Sequence, residues 1–165
     1  MADRVLLDRF EIQDLLYRYC RGVDRCDEVL VRSAYHPDSY DDRGYWRGNG
    51  HEFATFIVER LRAANSATTH AVTNVLIEVD GDTATSESLV RATLVRRDHP
   101  ATVDIVGARY LDRLSRREGV WGIDQRLVVL DWQTTQRWEE SAPPFALDQF
   151  KRGDRYPDDP VYTLS

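Results

Sequence analysis

The chain has 165 residues, 42% hydrophobic and 30% charged, with a formal net charge of -6 and an isoelectric point near 5.2. That length buries a sizeable core in one domain without disulfide or metal staples, and the acidic balance leaves no basic face to neutralise phosphates, which argues against a nucleic-acid partner. Two cysteines, Cys20 and Cys26, stand in neither CxxC spacing nor beside paired histidines, so they imply no zinc site and no disulfide scaffold and fit a reduced compartment.

The first fifteen residues, MADRVLLDRFEIQDL, are charged from the third onwards and hold no apolar run long enough for a signal peptide or a membrane span. A cytoplasmic protein with no membrane partner is expected. Ile12, Leu15, Leu16, Tyr19 and Val23 recur at three and four, which predicts an amphipathic helix from Ala2 to Val23, with Gly22 a fray point near its end. A short second helix, about Asp27 to Tyr35, is expected to stop at HPDS, because the residue before Pro37 is pushed out of the helical region. SYDDRGYWRG reads as a short strand with a glycine turn. Asn49, with Glu52 three residues on, opens a third helix whose buried stripe is Phe53, Phe56, Ile57 and Leu61 and which ends near Asn65.

From there the apolar period changes from 3.6 to 2. Thr68 to Val79 is a strand, DGDT a tight hairpin, and Ala84 to Arg97 its partner; Thr102 to Arg116 and Gly119 to Trp132 form a second long hairpin around RREG. Helices first and long antiparallel strands later make an α+β fold, three N-terminal helices on one face of a strongly curved, mixed, mostly antiparallel sheet. Residues 1–140 form the domain. The proline- and charge-rich residues 141–165 read as an extended tail wrapped on this domain or on a neighbouring subunit.

Alternation along the third-helix-proximal strand places His70, Val72, Asn74 and Leu76 on one face. A buried neutral imidazole needs a hydrogen-bond partner to fix its tautomer, so His70 is either a core histidine satisfied by a carbonyl or a group facing a concavity with Asn74. Asp24, after the apolar stripe of the first helix, is a solvated carboxylate or the histidine's partner. Tyr19 lies on that stripe with its phenol at the far end. Arg126 shares a strand face with Val128, Leu130 and Trp132, which calls for a carboxylate or a ligand anion beside it. Of Asp41 and Asp42, Asp41 is expected inward. No GxGxxG, P-loop, HExxH or GxSxG occurs, and no cofactor or metal is implied.

The order of RFEIQDLLYRYCRGVDRCD, YHPDSYDDRG, TTHAVTNVLIEVDGDTA and GARYLDRLSRREGVWGIDQRLVVLDW, over roughly residues 4 to 135, resembles the SnoaL-like branch of the nuclear-transport-factor-2-like superfamily. It looks most similar to the group with bile-acid 7α-dehydratase, scytalone dehydratase and hexachlorocyclohexane dehydrochlorinase. That resemblance implies an α+β cone with an internal pocket, usually trimeric, and cofactor-free lyase chemistry. It also implies that His70 removes a carbon-bound proton, that Asp24 holds its ring, and that Tyr19 and Arg126 complete the catalytic set. Tyr19 matches the tyrosine of the bile-acid dehydratase where the dehydrochlorinase has lysine, which points to loss of a hydroxyl rather than a halide. Asn74, Asp41, Val72 and Val128 are the expected substrate contacts. The substrate is then a hydrophobic cyclic compound, steroid-like or polyketide-like. A double-bond isomerase using the same base, or a non-catalytic ligand-binding or ring-hydroxylating dioxygenase β-type subunit, are the alternatives.

Overall fold

The computed structural model describes residues 2–137 and 147–164. Helices α1 (Ala2–Arg25), α2 (Glu28–Arg32) and α3 (Gly50–Ala64) pack on a sheet of β1 (Tyr35–Asp42), β2 (Arg47–Gly48), β3 (Asn65–Asp80), β4 (Thr83–Arg96), β5 (Thr102–Arg117) and β6 (Val120–Arg137). The strand order is β2-β1-β6-β5-β4-β3. β1 and β6 run parallel, and the other neighbours run antiparallel. The sheet is therefore mixed, as its sequence implies, and it curls around the helices without closing, with β2 and β3 as its edges.

The stripe of α1 is the centre of the core: Ile12, Leu15, Leu16, Tyr19 and Val23 are all buried, against Phe53, Ile57 and Leu61 of α3 and Leu114 and Ile123 of the sheet. The helix continues past Val23 to Arg25. It stops because Cys26 adopts a left-handed conformation at φ 52°, and the N–H groups of Cys26 and Asp27 donate back to the carbonyls of Val23 and Gly22. This is a Schellman closure, made here without glycine. Gly22 is not a fray point: a Cβ there would meet the backbone nitrogen of Val31 at 2.9 Å, so the glycine lets α2 lie against α1. Asp27 then caps α2, accepting from the N–H of Leu30 at 3.0 Å. Helix α2 ends at Arg32, earlier than expected, and HPDS lies inside β1. The register of β1 against β6 slips across these residues, between Tyr35 and Tyr40, which is where a strand tolerates a proline lacking a ladder donor.

The four long strands, β3 to β6, face the helices with alternate residues, and bulges in β3 and β6 change which set that is. In β3 the pairing with β4 shifts between Val72 and Val75. His70 and Val72 point toward the core on one side of that bulge, and Val75, Ile77 and Val79 on the other, whereas Asn74 and Leu76 are exposed. An extra residue in one strand reverses the side-chain parity beyond it, so the unbroken alternation read from the sequence fails after Val72. In β6 a second shift opposite Gly107 and Ala108 does the same to Trp132. That indole lies against Gly107, where an added Cβ would sit 2.4 Å from its nitrogen, and it is half exposed rather than sharing the face of Arg126.

The expected domain boundary at residue 140 falls outside the described residues. Beyond it, residues 147–164 hold two short 3-10 turns, Leu147–Gln149 and Pro160–Tyr162, and the second half of this segment is tied to the end of α1: Arg25 bonds Asp159 at 2.8 Å and the Tyr162 hydroxyl bonds Asp27 at 2.9 Å. No described helix is long and apolar enough to cross a membrane. At the opposite end of α1, Asp8 is buried and accepts from Trp121 at 3.1 Å and from Arg4 at 2.8 Å, beside Arg116.

Burial pushes the Asp8 carboxyl up, but the Trp121 and Arg4 hydrogen bonds and the nearby Arg116 and Arg4 charges outweigh it and hold the carboxyl below the ordinary aspartate value. A carboxyl depressed in the folded state contributes stability that is complete above the unfolded pKa of about 3.9 and is lost as the pH falls through the folded value. Asp8→Asn is therefore expected to lower the melting temperature clearly at pH 7 and much less at pH 3. Equal losses at the two pH values, measured by thermal unfolding, would contradict this assignment.

Candidate active site

Asp24 is the residue two before the helix-ending Cys26, so its side chain leaves α1 where β3 crosses beneath it. One carboxylate oxygen, Oδ2, accepts the backbone N–H of His70 at 2.7 Å, and the other, Oδ1, meets Nδ1 of the same imidazole at 2.7 Å. Both side chains are about nine-tenths buried, at 11% and 10% exposure. An ionised carboxylate only accepts, so the ring proton sits on Nδ1 and the Nε2 lone pair is left free. Nε2 has no hydrogen-bond partner among the described residues.

His70 lines a cavity of about 900 Å³ enclosed between α1, α3 and the concave face of the sheet. Its walls are mostly apolar, with Val23, Ile57, Leu61, Val90, Ala92, Leu94, Val106, Ala108, Val128 and Leu130. This is the size and character of a site for a small organic molecule. Its rim is charged: Arg96 bonds Asp104 at 2.8 Å, and Thr135 bonds the same carboxylate at 2.6 Å. Among the other polar groups that line the cavity are Tyr19, Arg43 and Tyr110. Arg43 Nη2 donates to the Tyr19 hydroxyl at 2.6 Å, and its Nε and Nη2 both hold Asp41, at 2.8 and 3.0 Å. The Tyr19 hydroxyl proton has no acceptor among the described residues. Burial pushes the Tyr19 phenol up, and the Arg43 and Arg126 charges do not reverse it, so the group is an O–H donor at neutral pH.

Below Tyr19 lies a buried, charge-balanced cluster. Arg126 forms a two-bond pair with Asp112, 2.7 Å at each contact, with both side chains fully buried, and its guanidinium sits 4.3 Å from the ring centres of both Tyr19 and Tyr110. Tyr35 donates to Asp41 at 2.6 Å. The charges of the two arginines are thus balanced by the two aspartates, with Tyr35 bonded to Asp41 and the rings of Tyr19 and Tyr110 against the Arg126 guanidinium. Removing one member of such a pair strands the other charge, at a cost of about 3–5 kcal/mol.

The structure separates the sequence-derived candidates. His70, Tyr19 and Val128 line the cavity, and Asp24 holds His70 from the side of a second, smaller depression that His70 also borders. Arg126 does not enter it, because Asp112, directly across the β5–β6 ladder, takes its guanidinium. Asp41 is inward but fully buried and spent on Arg43 and Tyr35. Asn74 is turned away by the β3 bulge, and Val72 lines the smaller depression, which Asp24 and His70 also border, and not the cavity. Arg43 was not singled out by the sequence. Its signal is the YDDRG spacing, which places Asp41 and Arg43 on one side of the chain as it leaves β1. Burial pushes the Cys20 thiol up to about 12, so it is no nucleophile, and no group of three or more His, Cys, Asp or Glu side chains that could hold a metal occurs among the described residues.

The SnoaL-like domain family matches residues 4–127 of the chain. No curated protein matches it in sequence. Among solved structures it is similar to LinA, at 25% identity and a TM-score of 0.78, over 87% of this chain and 100% of that one. It is also similar to a type-3 hexachlorocyclohexane dehydrochlorinase from Novosphingobium barchaimii, at 23% identity and a TM-score of 0.76, over 87% and 100%. A candidate scytalone dehydratase from Novosphingobium aromaticivorans gives 18% identity and a TM-score of 0.75, over 87% and 97%. The folds agree over nearly the whole of each relative.

Proposed function

The chain belongs to the SnoaL-like domain family, and on that premise we propose that it is a cofactor-independent lyase, a dehydratase acting on a hydrophobic cyclic hydroxy ketone of steroid-like or polyketide-like size. The observation that carries this is the free Nε2 of His70, held by Asp24 through Nδ1, at the wall of a largely apolar cavity that Tyr19 also enters. Two of the similar solved structures are named for eliminations, a dehydrochlorinase and a dehydratase.

In the proposed step Nε2 takes the proton from the carbon next to the substrate carbonyl, and the C–H electrons pass into an enolate. Asp24 stabilises the imidazolium that forms and fixes its direction. The carbon–oxygen bond of the β-hydroxyl then breaks, its electrons leaving with oxygen, and Tyr19 supplies the proton that lets it depart as water. Arg43, bonded to the Tyr19 oxygen, stabilises the phenolate left behind. The imidazolium proton returns the phenolate to its resting form through solvent, closing the cycle. A hydroxide leaving group needs that proton and a chloride does not, which is why the phenol favours dehydration. An isomerase would share the first half and return the proton to carbon. Arg126 takes no direct part here, and Asn74 and Val72 make no substrate contact, because none of the three reaches the cavity.

Incubated in heavy water with cyclic β-hydroxy ketones, the protein is expected to exchange the acidic C–H and release water. His70→Ala should slow both by about 10²- to 10⁴-fold, whereas Tyr19→Phe should keep the exchange and lose the dehydration. Wild-type exchange rates in the His70 variant would exclude this base.

The same proposal extends to assembly in the cytoplasm as a homo-oligomer, a trimer. The convex face of the sheet exposes Leu76, Leu127 and Trp132 at 67%, 46% and 50%, an apolar surface that a second copy would cover. Sedimentation equilibrium should give three times the chain mass. A monomer at micromolar concentration would contradict it.

A further inference from the structure

The Schellman closure of α1 satisfies the carbonyls of Gly22 and Val23 and leaves those of Asp24 and Arg25 without partners in the helix. Both are taken by two consecutive residues of the C-terminal segment. Arg155 Nη1 donates to the Asp24 carbonyl, and the Tyr156 N–H donates to the Arg25 carbonyl at 2.5 Å. The same Arg155 nitrogen bonds the Thr68 hydroxyl at 2.7 Å, and Nη2 reaches the carbonyl of Asn65 at 3.4 Å. Thr68 is two residues before His70 on the same inward face of β3. One guanidinium therefore joins the two backbone segments that carry the carboxylate and the imidazole.

The segment is anchored on both sides of that contact. Arg62 of α3 donates to the Tyr156 carbonyl at 2.7 Å, Arg25 holds Asp159, and Tyr162 holds Asp27 and packs edge-on to Tyr156 at 4.9 Å. Arg155 is only 9% exposed, and its Nε has no hydrogen-bond partner among the described residues. A buried, incompletely bonded guanidinium with no carboxylate partner among the described residues is expensive for the fold. Stability alone does not account for it, since an apolar residue would fill the space at lower cost.

We infer that Arg155 is a positioning residue for the Asp24–His70 pair: the C-terminal segment completes the cap of α1 and so sets where the Asp24 carboxylate stands against β3. It acts through backbone, from outside the cavity, and touches no substrate. This rests on Asp24 and His70 being the reacting pair, but its test needs no turnover, so a protein that fails to dehydrate the ketones leaves it standing.

The readout is the downfield proton signal of His70 Nδ1–H in the full chain labelled with nitrogen-15, and its exchange rate with water. Asp24→Asn provides the reference for a broken bond. Arg155→Met is expected to stay folded with the signal moved toward that reference and exchange about tenfold faster. Arg155→Lys keeps one nitrogen for the Asp24 carbonyl and Thr68 but loses the planar fork whose second nitrogen reaches Asn65, and it should fall between Met and wild type. A purely structural role would lower the melting temperature and leave the His70 signal unchanged in the folded protein, and that result overturns the inference. Should Arg155→Met fail to fold, the lysine variant decides: wild-type exchange in it overturns the inference, faster exchange upholds it.

Discussion

The carboxylate of Asp24 grips His70 twice, once at its backbone N–H and once at its ring, and that double contact ties the end of α1 to β3. The backbone bond fixes where the carboxylate stands, and the ring bond fixes the imidazole tautomer, so the ring's position and its tautomer come from one group. The rest of the molecule is arranged to make the contact possible. A left-handed Cys26 stops α1 at the right residue, Gly22 admits α2 without pushing α1 off the sheet, and the β3 bulge lies beyond Val72, where it does not disturb the face His70 presents.

Burial works in opposite senses on the two sides of the cavity. Tyr19 is surrounded by Arg43, Arg126, Tyr35 and Tyr110, and desolvation keeps its phenol protonated against two adjacent positive charges. The two arginines are themselves neutralised by Asp41 and Asp112. Such a cluster is a costly way to build a core, because each charge depends on its partner, but it leaves the Tyr19 O–H without an acceptor among the described residues, on a side chain that lines a largely apolar hollow. The molecule thus holds a free lone pair and a free proton in one cavity of about 900 Å³, which is the requirement for moving a proton off carbon at one point and onto oxygen at another.

Much of this was legible in the sequence. The stripe of α1, the caps at Asn49 and the turns at DGDT and RREG follow from local chemistry, and the turn at RREG duly takes positive φ at both Glu118 and Gly119. The pairing of His70 with Asp24 was reached through the family's motif spacing, since spacing alone left both residues with ordinary explanations. Three features were hidden for physical reasons. Bulges carry no local signature, so Asn74 and Trp132 were assigned to the wrong faces. Arg126 finds Asp112 across the β5–β6 ladder, a pairing set by register rather than by sequence distance. Arg155 caps a helix more than a hundred residues away, and nothing near it in the chain hints at that partner.

The tautomer of His70 is the point at which the account is most exposed. Nitrogen-15 spectra of the histidine rings near neutral pH distinguish a proton on Nδ1 from one on Nε2. The structure requires neutral His70 to carry it on Nδ1, with Nε2 unprotonated, and requires that preference to disappear in Asp24→Asn. A proton on Nε2 in the unaltered protein would leave no base facing the cavity and would contradict the account.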